Sequence, residues 1–476
     1  MTLYRGPGER AARYPRLSAF LKAWQIRRID LLMSEYPKGT RVALRPGGWN
    51  RIAVLTRKSP PGGSRVPGGR APLLAAFLAG LLALGVLAYL IRLGLFGRAG
   101  FRMLDLGVYR AGGIAIRHGQ PLYAIRAKAG MFTYPPVSAV LAVPLALMRW
   151  RVAQFAWLAM IYVPLAAVVW ISFRPLLRRA RRYAPAVFAV LFAGAAVLTP
   201  LRQELHYGQV DIFLVALCLV DCAAERPRWP RGALIGLATA IKLVPGVFIV
   251  YLLITGRRRA AAVSALTFAG VTGLTWLITP RDSAAYWTSA VFNSNRLGGN
   301  TQAANQSLRG MLLRLFAPSP APAALWLAAA LVVAVAGFAA ARAAHRRGQD
   351  MAGIAITGLL AALLSPVAWI HHLCWVVIVI GVLVGDGRDR RRVLIAAATA
   401  VLFASNLPIR GKVLLEAGAA PIWETRLMEA SYGLAALALI AILYAFRPTG
   451  ADLGPAAAAP PGPASADDEL LASSRR

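Results

Sequence analysis

An isolated carboxylate follows the first long apolar stretch of the sequence. Asp105 is the only acidic residue between Glu35 and Glu204. It lies between Arg102 and Arg110, on a segment whose pattern suits a helix along a membrane interface with Asp105 as its cap or in its first turn. A carboxylate there can accept the proton of a sugar hydroxyl, and the same residue type also caps helices. The position therefore predicts either a general base or a helix cap.

A second acidic residue stands inside a later apolar segment. Asp211 follows His206 and Gln209, about one turn into a predicted helix. A charge at that depth costs free energy unless it is paired or hydrated. His206 or a loop arginine is the predicted partner. The group predicts either a structural ion pair or contacts to a polar ligand.

Lys242 is a lone cation in the middle of the apolar stretch 232–254, and Pro245 follows it. A Lys at membrane depth beside a helix-breaking Pro predicts a broken or re-entrant helix. Its ammonium group is suited to bind a lipid phosphate, or else extends to the interface as lysines near membrane surfaces do.

Two adjacent histidines, His371 and His372, lie at the end of another apolar segment, after Trp369. Their rings can hydrogen-bond to phosphate or sugar, or serve a structural role. A zinc site is not expected, because no carboxylate or Cys lies at ligand spacing and neighbouring helix positions point about 100° apart.

Aromatic and amide side chains follow these motifs in the same loops. Tyrosines can stack on sugar rings or anchor a loop at the interface. Amides supply both donors and acceptors, which suits a hydroxyl-rich ligand and equally a solvated loop. The candidates are Tyr109, Tyr123, Tyr134, Asn305 and Gln306.

The composition shows which class of protein must position these residues. The chain has 476 residues, of which 58% are hydrophobic and 15% charged, with a mean hydropathy of +0.56. A soluble domain carries about 25% charged residues, so a soluble enzyme and a disordered chain are excluded. The net charge of +35 comes from Arg clusters between apolar segments, which is typical of cytoplasmic loops and not of nucleic-acid binding. The three cysteines lie in apolar stretches, so no disulfide framework is expected.

The apolar segments predict an all-α polytopic membrane protein with about 10 to 12 transmembrane helices. We expect a basic cytoplasmic tail over 1–70, a transmembrane catalytic domain over 71–446 and a Pro/Ala-rich cytoplasmic tail over 447–476. The stretches 135–148 and 232–254 are expected to re-enter without crossing. The predicted spans are 72–96, 152–173, 184–201, 208–224, 260–279, 322–341, 352–366, 371–385, 393–408 and 428–446.

Counting Lys and Arg in the short loops places the N-terminus inside. The unusual polar residues then gather on the non-cytoplasmic side, which predicts a site on that face. A transporter would instead spread polar groups along the membrane depth. The loops assigned to that side are 97–134, 202–207, 281–321, 366–372 and 409–427.

Taken in order, these motifs resemble glycosyltransferase family 87, a family of multi-spanning enzymes of the GT-C class. The resemblance extends over residues 72–446. The matching segments are Asp105-Leu-Gly-Val-Tyr109, Gly119-Gln-Pro-Leu-Tyr123, Tyr134-Pro-Pro136, Gly208-Gln209, Lys242-Leu-Val-Pro245 and Trp369-Ile-His371-His372.

The resemblance implies a GT-C-like enzyme with interfacial helices in the first outer loop. It implies inverting transfer of a mannose-type sugar from a polyprenyl-phosphate donor to a lipid or glycan hydroxyl, on the non-cytoplasmic face of the plasma membrane. Asp105 carries over as the general base. Because the donor holds a single phosphate, neither a metal nor a cofactor is expected. The expected substrate-binding residues are Tyr109, Tyr123, Tyr134, His206, Gln209, Asp211, Lys242, Asn305, Gln306, His371 and His372.

Two features depart from the family pattern. Asn is expected more often than Asp at position 211, so this site carries an extra charge. The tail 1–70 lies outside the pattern. Two other functions remain open: an arabinofuranosyltransferase that uses a polyprenyl-phosphate arabinose donor, and a transporter or flippase of polyprenyl-linked sugars. A non-catalytic scaffold, in which Asp105 is replaceable, is the third alternative.

Overall fold

A computed structural model describes residues 41–44, 52–55, 70–96, 103–127, 130–293, 296, 298–317 and 323–446. The chain divides into two units, Met1–Gly69 and Arg70–Arg476. In the first unit, strand β1 (Arg41–Leu44) pairs antiparallel with β2 (Ile52–Leu55), with Arg41 opposite Leu55. The rest of the predicted tail over 1–70, and the tail over 447–476, lie outside the described residues.

Among its described residues, the second unit is helical apart from one short hairpin of β3 (Arg126–Ala127) and β4 (Gly130–Met131). The helices are α1 Arg70–Phe96, α2 Leu104–His118, α3 Pro136–Leu141, α4 Val143–Leu147, α5 Trp150–Ser172, α6 Arg174–Ala180, α7 Ala184–Val197, α8 Thr199–Tyr207, α9 Asp211–Ala223, α10 Ala233–Ile241, α11 Val247–Ile254, α12 Arg258–Ile278, α13 Pro280–Thr288, α14 Leu308–Phe316, α15 Ala323–Arg346, α16 Asp350–Leu364, α17 Val376–Val384, α18 Arg390–Ala404, α19 Leu407–Glu416 and α20 Ile422–Ala445. Short 3-10 helices cover Leu122–Ala124, Arg181–Tyr183, Val244–Gly246, Ala290–Phe292 and Ile370–Leu373.

The apolar helices confirm a multi-pass membrane protein. Among the described residues, 5 helices are long and apolar enough to cross a membrane, and α18 with α19 forms a sixth such unit that bends by 43°. Four further apolar helices are shorter. Several of the segments expected to span the membrane fold as helices that are short or interrupted. The larger number of spans expected from the sequence therefore remains a prediction.

The segments that the sequence left ambiguous are interrupted helices. The stretch 135–148 forms α3 and α4, and 232–254 forms α10 and α11. Helix α10 ends at Ile241, where Lys242 takes an extended conformation with φ −151° and ψ 130°. Pro245 then occupies a short 3-10 helix. The prediction of a broken helix at Lys242 is therefore confirmed.

Several predicted loops contain helices. The turn expected over 202–207 is the second half of α8, and 409–427 includes most of α19. The segment 97–134, predicted as an outer loop with interfacial helices, contains α2. The Arg cluster 174–182, expected as a loop, lies on α6 and the 3-10 helix after it. These short helices are rich in polar or basic residues, which is why composition alone indicated loops there.

Small residues set the spacing between the buried helices. A Cβ at Gly358 of α16 would lie 2.3 Å from the ring of Trp375. A Cβ at Gly381 of α17 would lie 2.6 Å from the carbonyl oxygen of Ser172. The Trp375 ring stacks on Phe248 of α11, with the ring centroids 5.1 Å apart. Close contact at small residues is the usual way that membrane helices pack, because lipid provides little hydrophobic drive between them.

Candidate active site

A cavity of about 770 Å³ opens where α2, α8, the break at Lys242 and the turn before α17 meet. Its wall includes Asp105, Tyr134, Lys242 and both adjacent histidines. Segments that are far apart in the sequence therefore meet around one space. This size is within the range of small-molecule binding sites.

The position of Asp105 is fixed by a tight contact between α2 and the end of α8. Met103 precedes α2 in a left-handed conformation, with φ 41°. Its N–H donates to the carbonyl oxygen of His206 at 2.9 Å. Gly208 has φ +69°, and a Cβ there would lie 2.8 Å from the Cβ of Leu106. Only glycine suits that position, and the contact holds Asp105, the second residue of α2, at the cavity wall.

Gln209 connects Asp105 to two tyrosines. The Tyr109 hydroxyl donates to Gln209 Oε1 at 2.7 Å. Gln209 Nε2 donates to the Tyr134 hydroxyl at 3.2 Å, and the Gln209 side chain lies close enough to Asp105 to influence the pKa of its carboxyl. Burial raises the pKa of the Asp105 carboxyl to about 6, although the Gln209 side chain and the Lys242 charge act in the opposite direction. A carboxyl group with that pKa is suited to exchange protons near neutral pH.

Asp211 pairs with Lys242. The Lys242 Nζ lies 2.8 Å from Asp211 Oδ1 and 2.9 Å from Oδ2. It also lies 3.0 Å from His372 Nε2. The expectation that His206 or a loop arginine pairs with Asp211 is wrong. The lysine does not extend to the interface either, since only 8% of it is exposed.

The start of α9 shows why Asp211 needs that lysine. Asp211 is the first residue of α9, and Glu204 Oε1 already accepts the Ile212 N–H at 2.9 Å. The Glu204 carboxylate thus caps the helix from the preceding element. The Asp211 carboxylate is therefore free to pair with side chains. Its cationic partner is Lys242, at the break between α10 and α11.

Asp211 lies close enough to His371 and His372 in space to share a metal ion with them, although no carboxylate lies near the histidines in the sequence. Asp211, His371 and His372 offer metal-ligand atoms that lie within 4.8 Å of one another. A zinc site was not expected because no carboxylate lies at ligand spacing in the sequence, and the structure corrects that reason. The Lys242 ammonium already binds two of the three residues. Neither ring nitrogen of His371 has a hydrogen-bond partner among the described residues.

Some predicted ligand residues support the cavity without lining it. Tyr109 is buried behind Gln209. The Tyr123 hydroxyl donates to the Tyr134 carbonyl at 2.8 Å, and its ring stacks on Tyr286 at 5.7 Å. The His206 ring contacts that of Tyr207. These residues hold the wall, and they do not belong to the set of cavity-lining side chains.

Asn305 and Gln306 are placed differently from the expectation of substrate contact. Both are fully buried. Asn305 Oδ1 accepts the Ala368 N–H at 3.0 Å, and Gln306 Oε1 accepts the Gly433 N–H at 2.9 Å. The Asn305 amide ties the loop to the turn that carries the histidines, and the Gln306 amide ties the same loop to α20, so the structure gives both a supporting role.

Arg296 lines the cavity and was not among the predicted residues. Its Nη2 donates to the carbonyl oxygen of Tyr123 at 2.7 Å. The available signal was a basic residue inside a loop that the charge count assigns to the side with few cations. The sequence pattern could not show that the Arg296 side chain is partly buried and lines the cavity, because both depend on packing between distant segments.

The chain is similar to known membrane enzymes. The model of glycosyltransferase family 87 matches residues 132–366. A polyprenol-phosphate-mannose-dependent alpha-(1-2)-phosphatidylinositol mannoside mannosyltransferase of Mycobacterium tuberculosis is 35% identical over 363 residues, which cover 71% of this chain and 82% of the relative. A corresponding pentamannoside mannosyltransferase of Mycolicibacterium smegmatis is 34% identical over 52% of this chain and 59% of its own length. Among solved structures, ArnT from Cupriavidus metallidurans bound to undecaprenyl phosphate matches with a TM-score of 0.38 and 16% identity, covering 77% of each chain.

Proposed function

The chain belongs to glycosyltransferase family 87, and from that membership we propose that it transfers a mannose-type sugar from a polyprenyl-phosphate donor to a lipid or glycan hydroxyl. The names of the relatives support the donor, and they suggest a phosphatidylinositol mannoside as the acceptor. We place the protein in the plasma membrane with the cavity on the non-cytoplasmic side, in agreement with the distribution of Lys and Arg.

The observation that carries the proposal is the Asp105 carboxylate at the wall of a cavity that also holds Lys242, His371 and His372. In the proposed reaction, the acceptor oxygen attacks the anomeric carbon while Asp105 takes its proton. The bond from that carbon to the phosphate oxygen breaks on the opposite face, so the configuration inverts. Polyprenyl phosphate leaves as an anion, and no general acid is needed.

The remaining groups bind and orient. Gln209 lies beside the Asp105 carboxyl and favours its charged form, and Tyr134 offers an aromatic ring at the cavity wall. His371 has free ring nitrogens that can bind a sugar hydroxyl or phosphate oxygen. Lys242 positions Asp211 and His372. We propose a metal-independent reaction, because the Lys242 ammonium takes the place that a cation would have between Asp211 and His372.

Replacement of Asp105 tests this proposal. Asp105→Asn keeps the shape of the side chain and removes the proton acceptor, so transfer should fall by roughly 10²-fold to 10⁴-fold. The assay follows radiolabelled mannose from polyprenyl-phosphate mannose into lipid, with protein reconstituted in lipid. Glu416→Gln, at an exposed pair with Lys412, is the matched control and should keep full activity.

Four outcomes would contradict the proposal. Near-normal transfer by a folded Asp105→Asn protein would exclude this base. Faster use of polyprenyl-phosphate arabinose by the wild type would change the donor. Movement of the labelled lipid across the membrane without cleavage would indicate a flippase. Full activity after removal of divalent cations with a chelator is expected, and its loss would exclude the metal-independent reaction.

A further inference from the structure

The cavity carries two cations with different surroundings. Lys242 is paired with Asp211, so the charges of this pair cancel. A lysine ammonium has three hydrogens to donate. Its Nζ lies within hydrogen-bond distance of Asp211 Oδ1, Asp211 Oδ2 and His372 Nε2. In this arrangement the Lys242–Asp211 pair has no net charge, and the Lys242 ammonium has no free N–H to donate to an anion.

Arg296 differs in both respects. Its Nη2 donates to two backbone oxygens, those of Tyr123 at 2.7 Å and Phe132 at 3.4 Å. Its Nε is buried and has no partner among the described residues. Asp282, on the neighbouring helix α13, accepts the Leu122 N–H at 2.8 Å and forms no ion pair with Arg296. Within the described part of the chain, Arg296 thus forms no ion pair with a carboxylate.

Burying part of a guanidinium with an unsatisfied N–H costs free energy unless an anion accepts a hydrogen bond from it. Arginine suits phosphate in particular, since its planar donors match the phosphate oxygens. The Nη2 bonds to Tyr123 and Phe132 fix the side chain before any ligand arrives, which lowers the entropy cost of binding.

We propose that Arg296 binds the phosphate of a lipid-linked substrate in the cavity. The inference rests on the proposed function and deepens it, because it assigns the anion to Arg296 and leaves Lys242 as a positioning residue. The phosphate belongs either to the polyprenyl donor or to an anionic phospholipid acceptor. Both present the same chemistry to the guanidinium.

Binding measurements separate these sources without relying on turnover. Purified protein in detergent is titrated with polyprenyl phosphate, with phosphatidylinositol and with phosphate-free polyprenol. Arg296→Gln should weaken binding of one phosphate lipid by roughly 10-fold to 100-fold and leave polyprenol binding unchanged. Arg296→Lys, which keeps the charge, should lose less. Arg281→Gln, at an exposed position on α13, makes the same charge change away from the cavity and should bind like wild type.

The pattern of loss decides the outcome. A selective loss for polyprenyl phosphate assigns Arg296 to the donor, and a selective loss for phosphatidylinositol assigns it to the acceptor. Unchanged affinity for both phosphates in Arg296→Gln overturns the inference and leaves the proposed function intact. Equal weakening of polyprenol binding also overturns it, since Arg296 would then only hold the loop. Failure of the wild type to bind either phosphate lipid contradicts the proposed function as well.

Discussion

The two ends of helix α9 (Asp211–Ala223) each carry a buried aspartate, and the two are used in opposite ways. Asp221 is fully buried. Its carboxylate accepts the N–H groups of Gly232 and Ile235, each at 3.0 Å, and the Trp229 Nε1–H at 3.1 Å. Asp211, about 15 Å away along the helix, is bonded to Lys242.

The difference lies in the partners. At Asp221 the donors belong to the loop between α9 and α10 and to the first turn of α10, and Arg231 closes the same loop by donating to the Ala224 carbonyl at 2.6 Å. Every partner there serves to close the turn between α9 and α10. At Asp211 the partners are side chains from distant elements, and Lys242, His371 and His372 all line the cavity. Burial of an acid therefore does not identify a site, whereas burial against cavity-facing side chains does.

The largest effect is expected at the cavity end. Lys242→Met leaves the Asp211 carboxylate buried without its cation, which should lower the free energy of unfolding by about 3–5 kcal/mol. The double variant Asp211→Asn, Lys242→Met removes both charges and should recover most of that loss. Thermal unfolding in detergent measures both. If the double variant recovers no stability, the pair is not the source of the loss.

A smaller effect is expected at the other end. Asp221→Asn weakens charge-assisted hydrogen bonds to three donors and should cost about 1–3 kcal/mol. Because none of those donors lines the cavity, transfer per folded molecule should equal that of the wild type. Activity normalised to the folded fraction measures this. A strong loss of transfer by folded Asp221→Asn would remove the distinction between the two ends.

The cavity end should also respond to pH through Asp105. With a pKa of about 6, the carboxylate can accept a proton above that pH and is protonated below it. The rate of transfer should therefore fall about tenfold for each pH unit below 6, equivalent to about 1.4 kcal/mol per unit. Initial rates at limiting donor across this range measure it. A rate that is flat down to pH 5 would exclude titration of Asp105 in the rate-limiting step.

Local features of the site were predictable from the sequence. The break at Lys242 follows from a lysine and a proline within one apolar stretch, and both act over a few residues. The placement of Asp105 in the first turn of α2 follows from the apolar spacing after it. These signals lie within single elements, where the chemistry of neighbouring residues decides the conformation.

The partners across elements were not predictable. Asp211 and Lys242 are separated by 31 residues, and Lys242 and His372 by 130. Asn305 and Gln306 have the composition of a solvated loop, yet both are fully buried. Which side of a loop faces the interior depends on packing against other helices. A single sequence carries no record of that contact.

The missing methyl group at Gly358 has a consequence for the site. The Trp375 ring lies between Gly358 of α16 and Phe248 of α11. It follows the adjacent histidines by only a few residues, while Phe248 follows the break at Lys242. An added methyl at Gly358 would push the indole against Phe248. The position of the indole, and of the chain segment that follows the histidines, therefore depends on the lack of a side chain at Gly358.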